Sequence, residues 1–230
     1  MREALVSDIT KTIGRKRLYH FTRVSNLPAI AERDGLLSSY EAYPHHPGIR
    51  RTSPFTVMLD GKPATLNAHL PIPDSMMEEG TTLAAFRAYL DRHVFLWPTA
   101  EACKKMLDMY SRREKGEKFA ILELDAYPLL ADHYDAVKLS KYDSGSSPRY
   151  PHHCKYRKST NMFVPIDQFK AFRSGPVPVN VSEIKEILIE RQIRGLSSYL
   201  QAVYTEQAED VPSRWRKLAK PLTGFAARRQ

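Results

Sequence analysis

A chain of 230 residues, 42% hydrophobic and 10% aromatic, carries enough apolar material for one sizeable core and is too apolar to stay disordered. No apolar run approaches the roughly 18 residues of a spanning helix, and the charged opening "MREALVSDITKTIGRKR" lacks a secretory apolar core, so a cytoplasmic protein with no membrane partner is expected. Two cysteines, Cys103 and Cys154, are too few for a disulfide scaffold, while 35 Lys and Arg against 26 Asp and Glu leave a net charge of +9 that favours a polyanionic partner, nucleic acid or a phosphate-rich cofactor.

The first element expected is a short helix over residues 2–14, ending near Gly14. In "LYHFTRVSNLPAIAERDGLLSS", Leu18 to Thr22 reads as a strand and residues 27–37 as a helix, capped by Asn26, with Pro28 in its first turn and Gly35 at the left-handed stop. Residues 38–53 are expected to be irregular, Phe55 to Leu59 a short strand before the turn "DGKP", and residues 64–80 a loop of the kind that often serves as a functional flap. "TTLAAFRAYLDRH" places Leu83, Phe86 and Leu90 on one helical face, and "HVFLWPT" is an apolar run of strand length, ended by Pro98 and assigned to the core. Thr99 caps the helix "TAEACKKMLDMYSRREKG", with Ala102, Met106 and Met109 facing inward. "FAILELDAY", "AVKLSKY", "MFVPI" and "VSEIKEILIERQI" read as strands, "DSGSSPRYPHHCKYRKST" as a loop, "DQFKAF" as a helical turn and "GLSSYLQAVYTEQAE" as a C-terminal helix. About six strands mixed irregularly with helices, without repeats or a Gly-rich phosphate loop, predict an α+β domain and exclude the classical nucleotide folds. The divisions expected are an N-terminal helical extension (1–16), the domain (17–205) and a basic C-terminal tail (206–230), whose cations include Arg214, Arg216, Lys217, Lys220, Arg228 and Arg229.

Three places carry candidate chemistry. His20, flanked by Tyr19, Phe21 and Thr22 on a strand, is either a packed core histidine or a side chain reaching into a pocket. In "EIKEILIE" the strand period puts Ile184, Glu186, Leu188 and Glu190 on one face, where a carboxylate is costly without a task or a partner; Glu183 and Glu190 are its rivals. In "YPHHCKYRKS", His152, His153 and Cys154 lack ligand spacing for a metal, so none is expected, whereas Lys155, Arg157 and Lys158 interleave with Tyr150 and Tyr156 as charge and rings do in a phosphate-contact loop. A plain surface loop fits the same residues. Arg50 and Arg51 are guanidinium forks suited to a pyrophosphate.

The segments "LYHFTRVSNLPAIAERDGLLS", "RHVFLWPT", "FAILELDA", "YDSGSSPRYP", "MFVPI" and "IKEILIE", in that order, resemble a bacterial domain of unknown function that is similar to the DarT-type ADP-ribosyltransferases. The resemblance spans residues 17–200 and is most specific in the first segment. It implies an ADP-ribosyltransferase-like split mixed β-core, flanked by helices, that holds NAD between two half-sheets, with no metal. It further implies that His20 hydrogen-bonds the nicotinamide ribose, that the backbone at Tyr19 and Phe21 holds the carboxamide with Thr22 in support, that Glu186 is the catalytic carboxylate, and that Arg51, or its rival Arg50, contacts the phosphates. The segment between the first helix and the second strand departs from the DarT pattern, so the substrate loop is not transferable and thymidine in single-stranded DNA is one acceptor among several. The expected function is transfer of ADP-ribose from NAD to DNA or RNA, with Arg149, Lys155, Tyr156 and Arg157 on the acceptor, in a toxin or anti-phage effector that would have an antitoxin or immunity partner. An RNA 2′-phosphotransferase-like enzyme and a non-catalytic module binding nucleic acid or protein are the alternatives.

Overall fold

A computed structural model describes residues 2–44, 47–145, 153–171 and 175–225. Arg149, Tyr150, His152, Arg228 and Arg229 lie outside the described residues. The first third of the chain forms α1 (Arg2–Thr10), β1 (Arg17–Arg23), α2 (Leu27–Arg33), β2 (Gly35–Leu37), α3 (Ser39–Ala42), β3 (Phe55–Leu59) and β4 (Lys62–Leu66). The middle forms α4 (Leu83–Asp91), β5 (His93–Leu96), α5 (Ala100–Arg113), β6 (Phe119–Asp125), α6 (Ala126–Asp132) and β7 (Val137–Ser140). The last third supplies β8 (Phe163–Pro165), β9 (Glu186–Glu190), β10 (Gln192–Arg194), β11 (Leu200–Thr205) and β12 (Ala219–Pro221).

The fold is α+β, built on two four-stranded sheets ordered β1-β6-β11-β12 and β5-β9-β7-β8. Side-chain alternation sorts each strand between two layers. Leu18, Leu122, Leu124 and Val203 from the first sheet meet Val94, Leu96, Ile187 and Ile189 from the second in the largest core cluster, which therefore lies between the sheets. The opposite face of the first sheet, with Phe21, Phe119 and Ile121, is covered by Cys103 and Tyr110 of α5 and by Phe225. The outer face of the second sheet, with Leu188 and Phe163, is covered by Phe86 and Leu90 of α4 and by Met76. Burying one large aliphatic or aromatic side chain contributes roughly 1.5–3 kcal/mol, so these faces supply most of what orders the layers. Thr82 and Thr99 accept hydrogen bonds from the amides of Ala85 and Ala102 and so cap α4 and α5.

Several expectations are corrected by packing. Residues 195–209 do not form a helix: Leu200 to Thr205 is β11, an inner strand whose Ala202 and Val203 are fully buried against β6. Its branched and aromatic residues suit a strand covered on both sides. Residues 62–66 pair with β3 in a hairpin whose Asp60 and Gly61 both have positive φ, as a two-residue turn of this hand requires, so the irregular segment is shorter than expected. Helix α2 stops at Arg33 because Asp34, not Gly35, takes the left-handed conformation. Gly35 is required for another reason, since a Cβ there would meet the carbonyl oxygen of Ile193 at 2.5 Å where β2 pairs with β10. Asn26 makes no side-chain cap; its amide bonds both Thr65 N–H and Thr65 C=O and clamps β4. The late strand breaks at Arg191, which has a φ of 67°, into β9 and β10.

At the N-terminus, α1 contributes Val6 and Ile9 to the main core. The basic stretch from Ser213 to Phe225 is packed structure: Trp215 is buried and donates to Ser197 Oγ, and Arg214 donates to the carbonyl of Ala31. Among the described residues no helix is long and apolar enough to cross a membrane.

Candidate active site in the cleft between the sheets

The edge strands of the two sheets, β1 and β5, meet at one backbone bridge. Tyr19 on β1 and Trp97, just beyond β5, exchange both backbone hydrogen bonds, at 2.9 and 2.8 Å. That pairing consumes the peptide of Tyr19, whose ring lies on the α5 side against Phe225. Tyr19 therefore does not line the cleft, contrary to expectation. Alternation turns the next residue, His20, the other way, and Phe21 presents the following peptide on the same strand edge.

Beyond the joint opens a cleft of about 260 Å³, lined among others by His20, Thr22, Arg51, Asp91, Trp97 and Glu186. His20 and Glu186, from opposite ends of the chain, thus share one cavity. His20 Nδ1 lies 3.0 Å from the carbonyl oxygen of Phe95. A carbonyl only accepts, so Nδ1 carries the proton and Nε2, which has no partner among the described residues, is left as an acceptor. Burial lowers the imidazole pKa and keeps the ring neutral, although the Phe95 bond pulls the other way. Thr22 is buried and accepts from the Asn26 amide at 3.3 Å.

Glu186 opens β9 opposite Ser140 of β7 and is only 4% exposed. Its carboxyl group receives the Ser144 amide at 3.2 and 3.3 Å and the Ser144 hydroxyl at 2.5 Å. Burial, reinforced by the negative charge of Asp143, pushes its pKa up to about 8 against the Ser144 hydrogen bonds and the nearby Lys158. The rivals sit elsewhere. Glu183 caps the turn at residues 181–183 through the amides of Val179 and Asn180 and pairs with Lys141, and Glu190 is exposed.

Arg51 enters the same cleft already committed. Its guanidinium donates to both oxygens of Asp91, at 2.8 and 3.0 Å, and its Nε donates to the carbonyl of Asn67. His69 completes the group: its Nδ1 accepts the Arg51 amide at 2.9 Å, so Nε2 carries the proton and donates to Asp91 at 2.9 Å. Arg50 is exposed.

In the expected acceptor loop, Lys155 and Arg157 are exposed, and Arg157 donates to the carbonyls of Cys154 and Tyr156. Tyr156 stacks on Tyr142 with ring centroids 4.2 Å apart. Lys158 is not a surface cation but fully buried. Among the described residues no three His, Cys, Asp or Glu side chains gather as metal ligands. Sequence reasoning missed Ser144 and the Asp91–His69 pair, and it consigned the "HVFLWPT" run to the core although Phe95 and Trp97 line the cleft. The available signals were the turn-forming "DSG" at 143–145 and an acid directly after the apolar face of α4.

Among solved structures the chain is similar to DarT of Thermus sp. 2.9 in complex with NAD+, with 12% identity and a TM-score of 0.43 over 90% of this chain and 93% of that chain. It is also similar to the same protein with carba-NAD+ (11% identity, TM-score 0.41, 91% and 95% of the chains) and with ADP-ribosylated single-stranded DNA (11%, 0.40, 90% and 92%). No curated protein matches in sequence. A family profile covers residues 16–200, most of the chain. The chain belongs to DUF7002, a family of unknown function.

Proposed function

We propose that the cleft binds NAD and transfers its ADP-ribosyl group to a nucleic acid, with DNA as the first acceptor to test. The observation that carries this reading is the meeting of His20 and Glu186 on one cavity, as the DarT-like sequence pattern implies. In the reaction the bond between nicotinamide and C1 of its ribose breaks, nicotinamide leaves with the electron pair, and the sugar becomes oxocarbenium-like. Carboxylates stabilise such cations in glycoside hydrolysis. Glu186, once ionised, faces this charge and takes the proton of the attacking group. His20 Nε2, fixed as an acceptor by the Phe95 bond, receives a ribose hydroxyl and orients the sugar. The backbone of Phe21, next along the edge after the Tyr19–Trp97 joint, takes the carboxamide. Arg51 reaches the pyrophosphate through the part of its guanidinium that Asp91 leaves open, Thr22 supports the nicotinamide end, and Arg149, Lys155, Tyr156 and Arg157 contact the acceptor. Such an activity suits a cytoplasmic toxin or anti-phage effector held in check by an antitoxin.

The test is incubation with labelled NAD and, separately, single-stranded DNA, RNA and protein. The wild type is expected to label nucleic acid, and Glu186→Gln to label it at least about a thousandfold less. Transfer that survives Glu186→Gln would remove the catalytic assignment. Absence of both labelled acceptor and released nicotinamide would remove the enzyme.

A further inference from the structure

A fully buried lysine is tied to the turn that holds Glu186. Lys158 Nζ donates to the carbonyl oxygens of Asp143 at 2.6 Å and Ser144 at 2.9 Å. Those carbonyls bracket the Ser144 amide, which together with the Ser144 hydroxyl grips the Glu186 carboxyl group. The backbone of Lys158 is equally tied. Its N–H donates to Met76 at 2.7 Å and its C=O accepts from Glu78 at 3.0 Å, in a parallel bridge to Met77. One residue therefore joins the irregular segment before α4 to the turn that holds the carboxylate.

An ammonium taken out of water is expensive unless its protons are used and a negative charge compensates it. Here the protons go to backbone carbonyls, and Asp143 supplies the compensating charge, joined by Glu186 when it ionises. Both oppose the burial that lowers the lysine's pKa. A methionine or leucine would fill the same volume at less cost, so packing alone does not account for a charge at this position.

We propose that Lys158 is the positioning residue for Glu186. It locks the 143–145 turn so that Ser144 aims two donors at the carboxyl group, and it supplies the buried positive charge that lets this carboxyl group ionise. The inference rests on reading Glu186 as the catalytic carboxylate, but it concerns the ionisation of that group and can be measured without turnover. The charged and titratable groups around the carboxyl are Asp143 on the same turn, Lys158 behind it, Tyr156 with its ring 6.0 Å from the lysine nitrogen, Cys154, and His20 across the cleft.

The experiment is a carbon-13 carboxyl NMR titration of the full chain, with the Glu186 resonance assigned by its loss in Glu186→Gln. Lys158→Met is expected to raise the Glu186 midpoint by about one pH unit, because a nearby cation favours the charged form. At pH 7 that shift lowers kcat about tenfold while the KM for NAD stays within about twofold, since only the ionised fraction changes. A midpoint that does not move in folded Lys158→Met overturns the proposal. If that variant fails to fold, Ser144→Ala carries the same test: the midpoint rises by a smaller amount and kcat falls at constant KM, and an unmoved midpoint overturns the clamp. A wild type that titrates as expected yet releases no nicotinamide would leave the clamp standing and dismiss the enzyme.

Discussion

The cleft contains two buried carboxyl groups with opposite electrostatics. Asp91 is 6% exposed and Glu186 4% exposed, so burial penalises the charge of both. Around Asp91 that penalty is outweighed by hydrogen bonds from His69 and Arg51 and by the Arg51 charge, and its pKa falls below the usual carboxylate value. Around Glu186 no cation makes direct contact among the described residues; neutral donors from Ser144 and a lysine one layer away leave the burial cost dominant, and the pKa climbs to about 8. The difference shows what pairing does. A carboxylate answered by a guanidinium is finished chemistry that fixes structure, whereas one held by neutral donors keeps its capacity to stabilise a cation brought in by a ligand.

Exchanging the two acids for their amides would break this comparison most forcefully. Glu186→Gln should cost at least about a thousandfold in transfer with the fold intact, while Asp91→Asn should leave kcat within about tenfold and instead lower stability by about 3 kcal/mol, because it strands the Arg51 guanidinium. Labelled-NAD turnover and urea melts of both variants measure this; equal losses of activity would erase the distinction. In the wild type, kcat/KM for NAD should rise about tenfold per pH unit up to about pH 8 and then level off, since the proposed reaction requires Glu186 ionised in the free protein.

Stability against pH sharpens the contrast, because the two shifts have opposite signs. Glu186 is raised above its unfolded value of 4.5, so the folded state loses stability from this group as pH rises from 4.5 through about 8. Glu186→Gln should therefore match the wild type near pH 4 and exceed it in Tm at pH 9. Asp91 is lowered from 3.8, so its contribution is present above that pH and is lost on acidification through the folded value. Thermal melts of Asp91→Asn should accordingly lose less stability below pH 4 than the wild type does. The smallest effect is expected of His20→Ala, which would remove the hydrogen bond proposed to the ribose and should raise the KM for NAD about tenfold. An unchanged KM would return His20 to a packing role.

Much of the scaffold was legible in the chain. The strands in "FAILELDAY" and "EILIE", the apolar face of α4 and the Thr99 cap are all present, although the first four residues of β6 and of β9 are all buried instead of alternating, and Ala126 and Tyr127 already begin α6. The failures share a cause. "SYLQAVYT" has no clean period because β11 is covered on both faces, and short runs covered on both sides look alike whether helical or extended. Asn26 has the chemistry of a cap, yet the edge of β4 was the better customer for its amide. For the site, the family pattern pointed to His20 and Glu186, while nothing local marked Ser144 or the depth of Lys158.

Residue type and spacing by themselves determined most of the strands and helices, the excess of positive charge, and that an imidazole and a carboxylate stand on separate strands, because periodicity and composition act over a few residues. Only the tertiary structure decided that these two groups line the same cleft, that Arg51 arrives already paired with Asp91, and that a lysine from an apparently basic loop is buried behind Glu186. Burial and long-range pairing set charge, and neither is written in the neighbours along the chain.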